Sequence, residues 1–166
     1  MNGSAMKLKG IIMEDFSNYE VPSMFLSTCY CDWKCCLEGG FDTSVCQNYG
    51  LNNASIQDIP DSSIIKAYVN NPITKAMVIG GLEPYNQLIE IVDFISKFRE
   101  YSNDDVVIYT GFDEDESQGR ELVTTLSKFE NIIVKFGRYI PNQLPHYDYV
   151  LGVGLASDNQ YAKRIS

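Results

Sequence analysis

Short unbroken apolar runs recur along the chain and alternate with segments in which apolar residues are three or four positions apart. An unbroken run of this length is typical of a strand that is covered on both faces, as in a parallel sheet. The runs therefore predict strands at residues 9–13, 23–28, 76–79, 106–109 and 132–135.

Helical spacing of apolar residues predicts a helix in each of three segments between these strands. The clearest helix, over residues 85–101, is marked by Leu88, Ile91, Val92, Ile95 and Phe98. An earlier helix is predicted to use Asp61-Ser-Ser63 as its N-cap, to stop before Pro72, and to carry on one face Ile64, Ile65, Tyr68 and Val69. The last helix is marked by Leu122, Leu126 and Phe129. Residues 52–57 are predicted to be a polar connection.

The alternation of strands and helices predicts an α/β fold with a mostly parallel sheet of alternating βα units, joined by right-handed crossovers. No internal repeat and no linker-like stretch divides the sequence, so a single domain is predicted over residues 6–166. Residues 1–5 are left out of this prediction, because Met1-Asn-Gly-Ser-Ala5 is consistent with a vector-derived leader before a native Met6.

Composition and charge narrow the function classes without naming one. The 166 residues are 45% hydrophobic and 12% aromatic, which is enough to build a core. A net charge of −9 and a pI near 4.5 argue against nucleic acid as a partner. Much of the acid lies at residues 113–116, interpreted as a solvated loop and helix start. No apolar run approaches the length of a membrane span and the first residues lack signal-peptide features, so we expect a protein of the reducing cytoplasm.

All five cysteines lie within eighteen positions, in Cys29-Tyr-Cys-Asp-Trp-Lys-Cys-Cys36 and at Cys46. Thiolates gathered on one loop suit a soft metal centre, because sulfur binds iron and zinc strongly. Disulfides are disfavoured by the odd number of cysteines and by the expected compartment. Structural zinc is disfavoured because the two Cys-x-x-Cys pairs that it usually needs are missing. An iron–sulfur cluster needs no such pairs and is the favoured interpretation.

The residues that follow the predicted strands form a second candidate for function. In parallel α/β sheets, ligands bind beyond the carboxyl ends of the strands. One strand is followed by the cysteines, and the next three are followed by turns that each contain glycine: Gly80-Gly81-Leu-Glu83-Pro84, Tyr109-Thr110-Gly111 and Phe136-Gly-Arg138. Glycine lets the backbone approach a ligand closely, so exposed N–H and C=O groups can hold a polar molecule. One such glycine would indicate only a tight turn, whereas three turns beside a cysteine loop predict a binding site.

These motifs resemble those of the small radical S-adenosylmethionine proteins, and most closely the anaerobic ribonucleotide reductase activating proteins. In that family a strand ends in cysteines spaced C-x3-C-x2-C, and Cys31-Asp-Trp-Lys-Cys35 keeps the first half of this pattern. Cys46-Gln-Asn48 resembles the third cysteine with its asparagine. The turns at 80–84 and 109–111 resemble the family's Gly-Gly-Glu-Pro and Tyr-Thr-Gly. Residues 136–138 and 154–160 are similar to its Asp-Gly-Arg/Lys and Gly-Ser-x-Asn-Gln.

The resemblance implies a partial, incomplete TIM-like barrel and two cofactors, a [4Fe–4S] cluster and S-adenosyl-L-methionine. It implies iron ligands at Cys31, Cys35 and Cys46, with Cys29 as the alternative to Cys31. It implies contacts to S-adenosylmethionine from Asn48, Gly80, Gly81, Glu83, Pro84, Tyr109, Thr110 and Gly111.

The reaction that the resemblance implies is one-electron cleavage of S-adenosylmethionine to methionine and a 5′-deoxyadenosyl radical. That radical would abstract hydrogen from a glycine of a partner glycyl-radical enzyme under anaerobic conditions. An electron donor such as flavodoxin or ferredoxin is the second implied partner.

The sequence also departs from the family pattern. Glu38 stands where the third cysteine is expected, eight residues before Cys46, while Leu82 lengthens the Gly-Gly turn and Phe136 replaces an acidic residue. Two alternatives therefore stay open: a radical S-adenosylmethionine enzyme acting on another peptide or a small molecule, and a non-catalytic iron–sulfur redox or binding protein. His146 has no Ser or Cys partner signature and is interpreted as a structural or surface residue.

Overall fold

A six-stranded mixed sheet forms the centre of the molecule and confirms the predicted α/β class. The structure, a computed structural model, describes residues 3–40, 42–46 and 49–166, with the backbone alone at Lys34, Cys35 and Val45. The strands are β1 (Ala5–Leu8), β2 (Gly10–Asp15), β3 (Ser23–Thr28), β4 (Gln57–Pro60), β5 (Ala76–Gly81), β6 (Asp105–Tyr109), β7 (Ile132–Phe136), β8 (His146–Asp148), β9 (Val153–Leu155) and β10 (Tyr161–Arg164). The helices are α1 (Lys34–Gly39), α2 (Tyr49–Asn52), α3 (Asp61–Val69), α4 (Leu88–Phe98) and α5 (Ser117–Leu126), with 3₁₀ turns at Thr43–Val45 and Pro84–Gln87.

The strands of the central sheet lie in the order β10-β7-β6-β5-β3-β2. The four inner strands are parallel and follow one another in chain order. The two edge strands, β2 and β10, run antiparallel to their neighbours. Register aligns Ser27 with Gly80 and Ile79 with Ile108. The segments that follow the four parallel strands therefore meet at one edge of the sheet.

Different elements cover the two faces of the sheet. On one face, alternate strand residues such as Met77 and Ile108 pack with α3, α4 and α5 in the main apolar core. On the other face, Val78 and Val107 pack with residues of the C-terminal segment such as Leu151. Successive strand residues point to opposite faces. Burial on both faces explains why the strands read as unbroken apolar runs.

The five predicted strands are present, with ends that differ from the prediction by at most two residues. The helices are shorter than predicted, because residues 85–101 form a 3₁₀ turn followed by α4, and Phe129 lies in the turn after α5. The predicted N-cap was wrong. Helix α3 begins at Asp61 itself, whose carboxylate is hydrogen-bonded to Ser4 and Lys97 and does not cap the helix. Val69 was also misplaced, since it is 53% exposed at the end of α3.

Several short strands were not predicted. β1 and β4 form a separate antiparallel pair, and β4 includes Gln57 from the segment predicted as a connection. β8 and β9 form a second antiparallel pair near the C-terminus. These strands, like β10, have three or four residues and no unbroken apolar run, so hydrophobic periodicity does not reveal them.

Ser4 and Ala5, which the domain prediction left out, make contacts within the fold. Ala5 opens β1, and the Ser4 carbonyl oxygen accepts a hydrogen bond of 3.0 Å from the Asp61 N–H. The Ser4 hydroxyl contacts both Asp61 and Lys97. Across the described ranges, no helix combines the length and apolar character needed to cross a membrane.

Candidate functional site

A cleft of about 350 Å³ opens at the carboxyl edge of the parallel strands, which is the size of a small-molecule site. The turns after β5, β6 and β7 form its walls together with the cysteine loop, and the segment around β9 closes one side. Residues that line it include Cys31, Cys46, Gly81, Gly111, Gly137 and Leu155. The cleft thus lies where the order of the strands predicts a ligand site.

The structure brings two of the predicted thiols to this cleft, those of Cys31 and Cys46. Cys29 lies outside the described lining. It is 4% exposed, its backbone N–H donates to Gln87 Oε1 at 2.7 Å, and burial raises the pKa of its thiol. Cys36 is also buried. The side chain of Cys35 and the whole of Asn48, both predicted site residues, lie outside the described residues.

Within the part of the chain that the structure describes, no three His, Cys, Asp or Glu side chains are grouped so as to hold a metal ion. The predicted ligand set consists of three thiols, and that of Cys35 is not among the described side chains. What the geometry offers is therefore a pair of thiols at one cleft.

The backbone turns sharply directly after Cys31. Trp33 adopts a left-handed conformation with φ of 58°, and its N–H donates to Cys31 Sγ at 3.3 Å. Helix α1 starts at the next residue and ends at Gly39, and its C-cap residue Gly40 is also left-handed. A non-glycine residue in this conformation costs about 1–2 kcal/mol, and such strain concentrates at functional sites. On the other side of Cys31, the Tyr30 carbonyl oxygen accepts from the Glu83 N–H at 2.6 Å. The cysteine loop is thereby attached to the turn after β5.

Glu83 joins the turns after β5 and β6. Its Oε1 accepts hydrogen bonds from the Tyr85 N–H at 3.0 Å and the Thr110 hydroxyl at 2.8 Å. Its Oε2 accepts from the Gly111 N–H at 2.8 Å. Burial raises the pKa of this carboxyl, against the effect of the three hydrogen bonds and of nearby Lys135. Glu83 therefore holds two of the lining turns side by side with a single carboxylate.

Two glycines of the cleft have backbone conformations that favour glycine, with φ of 91° at Gly81 and 96° at Gly137. A Cβ atom at Gly81 would lie 3.2 Å from Ser27 Cα and from Leu51 Cδ1. A Cβ atom at Gly137 would lie 3.0 Å from the Asn159 carbonyl oxygen. Side chains are therefore excluded at both positions, and the backbone is exposed to the cleft.

Most of the residues predicted to contact a cofactor meet in one place. Five of them line the cleft: Gly81, Glu83, Tyr109, Thr110 and Gly111. Gly80 and Pro84 are buried and fall outside the described lining. A Cβ atom at Gly80 would lie 3.0 Å from Tyr109 Cβ, so this glycine allows the neighbouring strands to pack.

Lys135 places a cation in the wall of the cleft. It lies in β7, is 6% exposed, and donates from Nζ to the Gly137 carbonyl oxygen at 2.8 Å. Its Nζ is 5.8 Å from the ring centre of Tyr109. The Tyr109 hydroxyl donates to the Asn18 carbonyl oxygen, and burial raises the Tyr109 pKa. Sequence reasoning treated Lys135 only as the end of a strand, although a charge inside an apolar run is the signal that points to it.

Arg138 also lines the cleft, but carboxylates surround its guanidinium group. Nη1 and Nη2 bind both oxygens of Glu116 at 3.0 and 2.8 Å, and Nε lies 3.3 Å from Glu38 Oε2. Burial lowers the Arg138 pKa, and the carboxylates outweigh that effect, so the net shift is upward. Glu38 belongs to α1 and stands at the position where the sequence resemblance would place a third cysteine. In this chain that position therefore carries an ion pair to the turn after β7.

The C-terminal segment braces the turn after β7. Asn159 Nδ2 donates to the Arg138 carbonyl oxygen at 2.8 Å, and Gln160 Nε2 donates to the Gly137 carbonyl oxygen at 3.4 Å. Ser157 N–H in turn donates to Gln160 Oε1 at 3.2 Å. His146 Nε2 lies 2.7 Å from the Gln160 carbonyl oxygen, which is a structural contact. Residues 157–160 thus support the turn after β7, and Gln160 itself lines the cleft.

No protein-family model, no curated protein sequence and no solved structure matches this chain. Function therefore has to follow from the residues of the cleft and their geometry.

Proposed function

We propose that the chain is a radical S-adenosylmethionine protein that binds a [4Fe–4S] cluster and S-adenosylmethionine in this cleft. The observation that supports the proposal most is that Cys31 and Cys46 line the same cleft as Gly81, Gly111 and Gly137. These groups come from four separate segments of the chain. Thiols for a cluster and turns with exposed backbone for a polar cofactor are together what this chemistry needs.

The donor chemistry of the cysteine loop fits an iron–sulfur cluster. Two thiols line the cleft, and Cys35 lies between them in the sequence, in α1. In this proposal Cys31, Cys35 and Cys46 hold the cluster. Cys29 is the less favoured alternative to Cys31, because it is buried outside the described lining. Three protein ligands on four irons leave one iron open to a further ligand.

The turns of the cleft suit the polar end of S-adenosylmethionine. Gly81 and Gly137 line the cleft, and their positive φ values give the two turns a backbone conformation that favours glycine. Glu83 keeps the two lining turns together and retains acceptor capacity for an ammonium group, since a carboxylate has about four lone-pair sites. Leu155 and Ala156 also line the cleft and add apolar surface to it.

When bound, the cluster and S-adenosylmethionine supply one-electron cleavage of a carbon–sulfur bond and subsequent hydrogen abstraction. The chain aligns the cofactors and keeps water out. The substrate that we propose is a glycine of a glycyl-radical enzyme, with flavodoxin or ferredoxin as the electron donor in an anaerobic cytoplasm. A second candidate is the same chemistry on another peptide or a small molecule. The departure from the family pattern at Glu38, which pairs with Arg138 at 3.3 Å, supports this candidate.

We also propose that the sheet is an incomplete TIM-like barrel. The parallel strands β3, β5, β6 and β7 are neighbours in chain order, and α3, α4 and α5 pack on one face, as in a barrel. Strands β2 and β10 lie at opposite edges, so the sheet is open.

Anaerobic reconstitution followed by reduction tests the proposal. The protein should take up about four irons per chain, and with S-adenosylmethionine it should release 5′-deoxyadenosine and methionine, measured by liquid chromatography. Cys46→Ala should lose the cluster, whereas Cys36→Ala should keep it, because Cys36 is buried outside the described lining. A fully loaded and reduced protein that releases no deoxyadenosine would leave only the non-catalytic iron–sulfur interpretation.

The choice of a glycyl-radical enzyme as substrate needs a separate measurement. Mixed with its partner, the protein should produce a glycyl doublet in the electron paramagnetic resonance spectrum of that partner, at a rate matching deoxyadenosine release. The activating role would be wrong if deoxyadenosine is released without a doublet in the presence of every glycyl-radical enzyme encoded beside it. The second candidate, the same chemistry on another peptide or a small molecule, would then be favoured.

A further inference from the structure

Gln87 is the last residue of the 3₁₀ turn Pro84–Gln87, and its side chain is buried. We propose that Gln87 is a positioning residue, which fixes the start of the cysteine loop so that Cys29 stays buried and Cys31 presents its thiol to the cleft. This positioning is a property of the chain without metal. Its consequence for an iron–sulfur cluster rests on the proposed function.

The side-chain amide of Gln87 bridges β1 and the cysteine loop. Its Oε1 accepts a hydrogen bond from the Cys29 N–H at 2.7 Å, and its Nε2 donates to the Lys7 carbonyl oxygen at 2.8 Å. Cys29 is the first residue after β3, whose register with β5 runs as far as Thr28. The amide therefore gives the Cys29 N–H a partner just beyond the end of the strand, as the peptide group of a neighbouring strand would.

Glu90 determines which way the Gln87 amide is turned. Glu90 Oε2 accepts from Gln87 Nε2 at 3.1 Å and from the Lys7 N–H at 3.1 Å. Together with the Lys7 carbonyl oxygen, it gives the NH₂ group of Gln87 two acceptors, one for each of its protons. The reverse orientation would turn Oε1 toward two acceptors and the NH₂ group toward the Cys29 N–H. Only the observed orientation therefore pairs every donor with an acceptor.

A second hydrogen bond from the same turn holds the next residue of the loop. The N–H of Glu83, the N-cap of the 3₁₀ turn, donates to the Tyr30 carbonyl oxygen at 2.6 Å. Two adjacent residues are thus tied to one short turn directly before Cys31. Each fixed residue removes backbone freedom, so the direction in which the chain enters Cys31 is set. The observed result is that Cys29 is 4% exposed while Cys31 lines the cleft.

Removal of the Gln87 amide tests the proposal in the iron-free full chain. Gln87→Met keeps an unbranched side chain of similar length but removes both hydrogen-bonding groups. We expect protection of the Cys29 amide against hydrogen exchange to fall about tenfold or more, as loss of a buried hydrogen bond would cause. The rate of iodoacetamide labelling of Cys29 relative to Cys31 should rise by a similar factor, because labelling of a buried thiol requires local opening. Mass spectrometry with residue-level fragmentation measures both.

Two variants separate positioning of the loop from general stability. Gln87→Glu keeps an oxygen for the Cys29 N–H, and beside Glu90 its buried carboxyl should stay protonated and so keep a donor for Lys7. It should therefore restore the wild-type labelling ratio. Tyr68→Phe is the matched control, because it removes a hydrogen bond of 2.6 Å from a buried side chain to Asp104. It should lower the urea midpoint and leave the labelling ratio unchanged.

The reconstituted chain gives a further readout that a general loss of stability would not change. The midpoint potential of an iron–sulfur cluster depends on its exposure to water. A loop that opens more often admits water, which favours the more highly charged reduced cluster. We therefore expect a higher midpoint potential in Gln87→Met and the wild-type value in Gln87→Glu and Tyr68→Phe. An anaerobic redox titration followed by electron paramagnetic resonance measures it.

Each remaining outcome decides the proposal. If Gln87→Met does not fold, Gln87→Asn replaces it, because a side chain shorter by one methylene cannot keep both hydrogen bonds. Unchanged protection and labelling of Cys29 would show that Gln87 does not position the loop, while the proposed function stands. An equal rise in the labelling ratio in Tyr68→Phe would show general loosening and would also overturn the proposal. If wild type takes up no cluster, the proposed function is wrong, and the iron-free measurements alone decide for or against Gln87.

Discussion

Gly81 and Gly137 show how single residues define the cleft. Both have positive φ values, and a Cβ atom at either would be pressed against a neighbouring segment. Glycine at these positions is therefore required by the backbone and by the packing of the neighbouring segments. The same holds for the charged residues nearby, since Glu83 and Arg138 each connect separate turns through several hydrogen bonds.

Gly81→Ala should weaken cofactor binding without removing iron. The new Cβ would lie 3.2 Å from Ser27 Cα at a φ of 91°, so the turn must shift, at a cost of about 1–2 kcal/mol in unfolding free energy. The measurement is the change that S-adenosylmethionine causes in the electron paramagnetic resonance spectrum of the reduced cluster. Gly10→Ala is the control, because nothing lies within 4 Å of a Cβ there. Equal binding in both variants would show that the turn has only a structural role.

The described cysteines should differ in their rates of alkylation. Cys31 and Cys46 line the cleft, whereas Cys29 and Cys36 are buried, and burial raises the pKa of the Cys29 thiol. In iron-free protein, iodoacetamide should therefore label Cys31 and Cys46 first, because only the thiolate reacts. Peptide mass spectrometry over a time course reads out each site. If Cys29 is labelled before Cys31, Cys29 becomes the favoured cluster ligand and Cys31 the alternative.

At the scale of elements, the main core is organised around α4. Its inward residues Ile91, Phe94, Ile95 and Phe98 are fully buried against the sheet and the neighbouring helices. Phe94 and Phe98 stack with their ring centres 6.0 Å apart, and Tyr68 of α3 meets Phe98 edge-on at 4.9 Å. Each such side chain stabilises the fold by roughly 1.5–3 kcal/mol through burial alone.

Two substitutions within α4 should therefore have very different costs. Phe94→Ala should lower the unfolding free energy by about 3–5 kcal/mol, because it removes a fully buried ring and leaves a cavity. Ile89→Ala should change it by less than about 0.5 kcal/mol, since Ile89 is 82% exposed on the same helix. Urea denaturation followed by circular dichroism measures both. Similar losses for the two variants would contradict the orientation of α4.

An ion pair between β6 and the edge strand β10 makes stability depend on pH. Burial raises the Asp105 pKa. Hydrogen bonds from Arg164, at 2.8 and 3.0 Å, and from Tyr19, at 2.7 Å, act in the opposite direction and have the larger combined effect. The Asp105 pKa in the folded chain therefore lies below its ordinary value of 3.8. A carboxyl with a lowered folded pKa stabilises the fold above its unfolded pKa and loses that effect as pH falls through the lowered value. Wild type should therefore lose more stability than Asp105→Asn between pH 5 and about pH 2. The urea midpoint at each pH reports the difference, and parallel curves would contradict it.

Two kinds of element could be predicted from the sequence. They are the strands that are buried on both faces and the helix with regularly spaced apolar residues. The strands now labelled β3, β5, β6 and β7 were found from apolar runs, and α4 from its spacing. β8, β9 and β10 were missed, because three- or four-residue strands of mixed polarity are held by register and by neighbours distant in sequence. The start of α3 was misjudged for a similar reason, since Asp61 is turned toward Ser4 and Lys97 by tertiary contacts.

At the scale of the whole molecule, the position of the site could be predicted from the sequence, but most of its side-chain contacts could not. Parallel strands in chain order bring their carboxyl-end turns to one edge, and this rule alone placed Gly81, Thr110 and Gly111 near Cys31. The buried Lys135 and the neutralised Arg138 were not predicted, because they depend on which side chains meet across the cleft. The burial of these side chains and the pairing of their charges can be known only from the folded structure.

Asn159 and Gln160 support the turn after β7 through hydrogen bonds, and their late position in the chain has a consequence for biosynthesis. A ribosome makes the chain from its N-terminus, so the cysteine loop emerges long before the residues that support Gly137 and Arg138. On a nascent chain the thiols are present while one wall of the cleft is still unsupported. We therefore expect metal delivery to follow translation, and products that stop before Asn159 to carry reactive thiols beside an unfinished pocket, which would mark them for degradation.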